Sequence, residues 1–102
     1  MKLRHSRRSI RQISSILSYI AERDSSAADR VSRRFQEAIA MLMEFPGAGH
    51  RGAQTGTREF AVPGLPYVIV YRVISVRDEL RIAGVFHGAQ LRPGQSRPVD
   101  DP

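Results

Sequence analysis

The stretch Tyr67–Gln90, "YVIVYRVISVRDELRIAGVFHGAQ", decides the fold. Tyr67 to Ile74 is rich in β-branched and aromatic residues, which predicts a central strand. Strand alternation puts Tyr67, Ile69, Tyr71 and Val73 on one face and Val68, Val70, Arg72 and Ile74 on the other. "VRDE" turns the chain, and Leu80, Ile82 and Phe86 are expected on one face of the next strand. That strand ends on His87-Gly88-Ala89. A histidine there is a catalytic base, a hydrogen-bonded structural group, or part of a docking surface.

Working outward, "PGLP" is a turn, because Pro63-Gly64 pre-sets a reversal and Pro66 cannot pair inside a strand. In "TREFAV" before it, Arg58, Phe60 and Val62 alternate with Thr57, Glu59 and Ala61, as in a half-buried strand. Three consecutive strands with short turns make an antiparallel meander. The glycine-rich "GHRGAQTG" reads as a loop, and Lys2 to Arg4 offers an additional edge strand.

The first half has helical periodicity. Ile10, Ile13, Ile16/Leu17 and Ile20 form one apolar stripe, with Ser6 as N-cap. A second stripe, Val31, Phe35, Ala38/Ile39 and Leu42, follows a capping box expected at Ser26 and Asp29. Pro46-Gly47 ends it. The short connection between the helices implies an antiparallel hairpin. The predicted class is α+β: a helix hairpin packed on one face of a small curled antiparallel sheet, the other face being left to function. Residues 1–90 are expected to form a single domain. Residues 91–102, "LRPGQSRPVDDP", cannot build a core and are expected to be a flexible tail.

The 102 residues suffice for one core without metal or crosslink. With no cysteine, disulfides and thiolate zinc sites are excluded. The basic start "MKLRHSRRSIRQ" leads into no apolar run of signal-peptide type, and "YVIVY" is too short to span a membrane. A soluble cytoplasmic protein is expected. The net charge is +6, carried by arginines with Lys2 the only lysine. Either an anionic partner is bound, or a codon bias has placed arginines on solvated faces.

Residues for chemistry are sparse. The serines lie on a helix and its caps without an adjacent base, and no GxSxG elbow occurs. His5, His50 and His87 are scattered without metal-ligand spacing, and "GAGHRG" precedes no lysine-threonine pair. No cofactor is expected. A metal-free ribonuclease needs only a base, an acid and cations, which Arg58, Tyr67, Tyr71, Arg72 and His87 could supply. Alternation separates Arg72 from the tyrosines, so convergence of the five would need bulges. Tyr71 reads as core with its hydroxyl bonded, Arg58 as exposed, and Arg72 as seeking Glu59, Glu79 or solvent.

Taken in order, Tyr19-Ile20, Ala27-Ala28, Phe45-Pro46, Arg58-Glu59, Pro66-Tyr67, Tyr71-Arg72 and His87-Gly88-Ala89 make the chain resemble the RelE/ParE superfamily of bacterial toxins. The similarity is to its ParE (plasmid stabilisation) branch and runs to about Gln90. The resemblance implies the helix-hairpin-on-sheet fold and a toxin neutralised by a ParD-like, ribbon-helix-helix antitoxin in a hetero-oligomer. RelE-like members cut messenger RNA in the ribosome, whereas ParE-like members block DNA gyrase. RelE-like enzymes carry an arginine early in the strand matching "YVIVY", where this chain has Val68. They carry another in the segment matching "HGAQ", where this chain has Gln90. Without that phosphate clamp, the resemblance implies gyrase inhibition by binding and no catalytic residues, with membrane and direct nucleic-acid contacts not expected. The alternatives are a ribosome-dependent endonuclease and a non-toxic antitoxin-binding module. Target contacts are expected from the outer sheet surface near Arg58, Tyr67 and His87 and from Gln90, Arg92 and Arg97. Antitoxin contacts are expected from Arg7, Arg8, Arg11, Arg30, Arg33 and Arg34.

Overall fold

The computed structural model describes residues 1–88. Its elements are β1 (Lys2–His5), α1 (Arg7–Ala21), α2 (Ser25–Glu44), β2 (His50–Arg51), β3 (Arg58–Ala61), β4 (Tyr67–Ile74) and β5 (Glu79–His87). Short 3-10 turns occupy Pro46–Ala48 and Ser75–Arg77. The sheet order is β1-β5-β4-β3-β2. The architecture is α+β, two helices on a five-stranded, mostly antiparallel open sheet. The exception is β1, which does form the additional edge strand but pairs parallel to β5. Among the described residues, no helix is long and apolar enough to cross a membrane.

Local chemistry sets the helix ends. Ser6 caps α1 as expected, accepting from the Ser9 backbone N–H at 3.0 Å. The cap of α2 is Asp24, not Ser26: its carboxylate accepts from Ala27 N at 3.1 Å, so the helix starts one residue before Ser26. Both residue types cap well, and the charged one adds attraction to the helix N-terminus.

The stripe of α2 is buried as its spacing predicts, with Phe35, Ala38, Ile39 and Leu42 facing Ile69, Tyr71, Leu80, Ile82 and Val85 on the sheet. The stripe of α1 sits shallower. Ile13 and Ile16 pack at the margin of this core, and Ile10 is 55 % exposed.

Two further expectations about the sheet need correction. His50–Arg51, read as loop, is a short edge strand paired to Glu59 and Arg58. The face away from the helices is not left bare either: Val68, Val70 and Phe86 form a second buried apolar cluster there. Phe86 reaches that face through a bulge in β5. Tyr71 pairs with Ile82 and Val70 with Gly84, leaving Ala83 as the extra residue. Leu80 and Ile82 therefore share the helix side with Val85 and His87, while Phe86 turns outward.

A bulge interrupts the ladder and leaves backbone groups to be satisfied elsewhere. Here α1 supplies the partners. Ser6 Oγ donates to the Ala83 carbonyl at 2.8 Å, and Val85 N donates to Gln12 Oε1 at 2.8 Å. Replacing Gln12 with alanine leaves the Val85 N–H without its acceptor and is expected to cost about 1–2 kcal/mol. Urea denaturation checks this; a midpoint equal to wild type would contradict the role given to Gln12.

Candidate functional site

The residues expected at the site separate into two ends of the sheet. At one end, Tyr67 and His87 are direct cross-strand partners on β4 and β5. Their rings meet edge to face with centroids 5.6 Å apart, and the Tyr67 ring lies 5.7 Å from that of Phe35 on α2. The bulge at Ala83 makes this pairing possible, because it moves His87 onto the face of Tyr67. His87 is exposed and Tyr67 half-buried. Ring packing thus orients the imidazole at the strand end.

At the other end, Arg58 is paired with Tyr71. The offset from Tyr67 to Tyr71 along β4 is four residues, or roughly 13 Å at strand rise. Arg58, Tyr67 and His87 therefore form two patches. All three register on the helix side, not the outer surface expected from sequence, and Arg58 and His87 are nevertheless exposed there.

Tyr71 is fully buried and its hydroxyl is committed. It donates to the Pro46 carbonyl at 2.6 Å and accepts from Gly49 N at 2.9 Å. Burial pushes its pKa above the ordinary value, against the smaller opposing effects of the Gly49 hydrogen bond and the Arg58 charge. Gly49 must be glycine for this approach, since a Cβ there would lie 2.6 Å from the Tyr71 oxygen. Arg58 Nη1 donates to the Gly49 carbonyl at 2.7 Å and locks the same junction. Tyr71 is therefore a core residue with its hydroxyl bonded, in line with its position inside an apolar run.

Arg72 points away from this group. Its guanidinium donates to the Thr55 carbonyl at 3.1 Å, reaching neither of the carboxylates expected for it. Glu79 is paired with Arg81 at 2.7 Å, and Glu59 lies 3.5 Å from His50 Nε2. The bulge that would have been needed for convergence exists, yet it brings only His87 to the tyrosines. The five groups do not assemble around one phosphate.

The expected antitoxin contacts also fall in two places. Arg7, Arg8 and Arg11 lie on the N-terminal half of α1. Arg30, Arg33 and Arg34 lie on the N-terminal half of α2 and border a surface hollow that Gly64 and Leu65 complete. Arg34 Nη1 also donates to the Pro63 carbonyl at 3.1 Å, tying α2 to the β3–β4 turn. In an antiparallel hairpin these are opposite ends. Gln90, Arg92 and Arg97 lie outside the described residues.

Sequence reasoning missed an apolar cleft of about 390 Å³ between β1 and the two helices, lined by Leu3, Ile13, Leu17, Phe35, Ile39 and Met43 among others. Leu3, exposed on an edge strand, was its one local signal.

These features meet known proteins at the level of family. The family model described as "ParE toxin of type II toxin-antitoxin system, parDE" matches residues 3–92. The chain belongs to the ParE toxin family. It is similar to the protein Y4kP of Sinorhizobium fredii, 34% identical over 92 residues, or 90% of this chain and 93% of that one. It also resembles Toxin RelE1 of Caulobacter vibrioides, 30% identical over 87 residues, or 83% and 90% of the two chains. Two solved structures share the fold. One is the chromosomal ParDE system from P. aeruginosa, with TM-score 0.73 at 19% identity, covering 85% of this chain and 95% of that chain. The other is the intact E. coli RelBE toxin-antitoxin complex, with TM-score 0.59 at 14% identity, covering 84% and 94%. This ParE-family chain is thus a toxin of the ParE/RelE superfamily, of the type II toxin-antitoxin class.

Proposed function

We propose that this toxin inhibits DNA gyrase by binding it in the cytoplasm, and that a ParD-like antitoxin neutralises it. One observation carries the choice of binding over cleavage: the groups a metal-free nuclease would need are dispersed. Tyr71 is sealed in the core, Arg72 faces the opposite side, and Val68 is buried beside Phe86 where the ribonuclease branch has an arginine. A phosphoryl-transfer transition state needs cations preorganised around it, and losing one such group costs about 100- to 1,000-fold. The target-binding surface is assigned to Arg58, Tyr67 and His87, with Gln90, Arg92 and Arg97 of the tail.

For the antitoxin, the cleft beside β1 suits the apolar side of an amphipathic segment, and the arginines of α1 and α2 suit its acidic side. Both structural relatives come from two-component systems, which supports such a partner.

The relative named RelE1 favours a second reading, ribosome-dependent cleavage of messenger RNA. Inducing the toxin alone separates the two. A DNA-damage response is expected. Immediate translation arrest with cut messenger RNA, abolished by His87→Ala, would establish the second reading in its place.

A further inference from the structure

We propose that the β2–β3 end of the sheet is a carboxylate clamp, formed by Arg51 and Arg58, for an acidic peptide segment of a protein partner. Arg51 and Arg58 stand directly opposite each other in the antiparallel β2–β3 ladder. Like charges in that position destabilise a ladder unless an anion lies between them. Both residues are exposed, and neither forms an ion pair with the described residues. The acidic residue of this hairpin, Glu59, is buried and turned toward His50 Nε2 and Ala53 N.

Arg51 and Arg58 both line one cleft of about 450 Å³, whose remaining wall is the loop carrying Gly52, Thr55 and Thr57. That loop is internally braced. Gly52 N donates to the Thr57 carbonyl at 2.8 Å, and Thr57 Oγ1 donates to the Gln54 carbonyl at 2.7 Å. Arg58 is already held by the Gly49 carbonyl at 2.7 Å, with further N–H donors of its fork left over. A fixed guanidinium with spare donors is suited to bidentate carboxylate binding. Arg72, bonded to Thr55 O, adds a third positive charge to the same loop.

The lining favours a peptide over a nucleic acid. It contains no aromatic side chain on which a base could stack, and two arginines do not make a groove that follows a phosphate backbone. The clamp shares Arg58 with the target surface proposed above but does not depend on gyrase being the target.

Fluorescence anisotropy with a labelled deca-glutamate peptide tests the clamp on the full chain at physiological salt, without gyrase. Arg51→Gln and Arg58→Gln are each expected to weaken binding about fivefold. The double variant Lys2→Gln/Arg77→Gln, which removes more charge elsewhere, is expected to weaken it less than twofold. Arg51→Gln should leave the thermal midpoint unchanged or higher, because a like-charge contact is relieved. Absence of wild-type binding, or an equal loss in the double variant, would overturn the clamp. Tighter binding of a ten-nucleotide single-stranded RNA, weakened by the same two arginine variants, would overturn the peptide assignment. Supercoiling assays report on gyrase separately, so the two readings fail independently.

Discussion

Tyr71→Phe is expected to lower the stability of this toxin by about 2–4 kcal/mol. The substitution removes one oxygen and hardly changes volume, so packing and cavity effects are small. Its cost comes from the two backbone groups the hydroxyl serves, the Pro46 carbonyl and the Gly49 N–H. A buried donor or acceptor stripped of its partner costs about 1–3 kcal/mol. For a domain whose total stability is roughly 5–15 kcal/mol, this is a large fraction. The same hydroxyl gives a pH signature. Its folded-state pKa is raised above the ordinary 10.0, so its contribution is fully present below about pH 10 and is lost as pH rises through the folded value. Stability of the wild-type chain should therefore fall in strong alkali, and this part of the fall should vanish in Tyr71→Phe. Guanidinium denaturation against pH measures both effects. A variant as stable as wild type would contradict the hydroxyl's structural role, and a folded variant that fails to inhibit gyrase would point to a functional role instead.

Arg58→Glu carries the second large effect, on function. Arg58 is exposed, belongs to the proposed target surface, and is positioned by the Gly49 carbonyl. Charge reversal at an interface anchor both removes a charge-assisted contact and adds repulsion, and such anchors commonly account for 2 kcal/mol or more. The concentration needed for half-inhibition of gyrase is expected to rise about 10- to 100-fold. Arg58→Gln controls for loss of the Gly49 contact and should fall between the two. Circular dichroism confirms folding of each variant. Unchanged inhibition by Arg58→Glu would remove Arg58 from the target surface.

How much of this was legible in the sequence depends on how local the determining interactions are. β4 begins and ends where its β-branched run does, and the buried face of α2 follows its spacing, because each signal lies within one element. The bulge in β5 was invisible for the opposite reason. Its freed backbone groups at Ala83 and Val85 are satisfied by Ser6 and Gln12, more than seventy residues earlier. One undetected residue inverted the assignment of Phe86 and brought His87 beside Tyr67. β2 was hidden similarly, since two residues in a glycine-rich segment become a strand only by pairing with β3. At the candidate site, the residue types were readable but their faces were not. Arg58, Tyr67 and His87 were placed on the outer surface, whereas the register puts them at two ends of the helix side. The apolar cleft beside β1 depends on packing three separate elements and left almost no local trace.

Gyrase binding, not RNA cleavage, is the activity proposed for this ParE-family toxin. Its most direct test is a supercoiling assay with purified gyrase and increasing amounts of the isolated full-length chain. Inhibition that saturates with toxin and is reversed by the cognate antitoxin is expected. Full supercoiling activity at saturating toxin would contradict it.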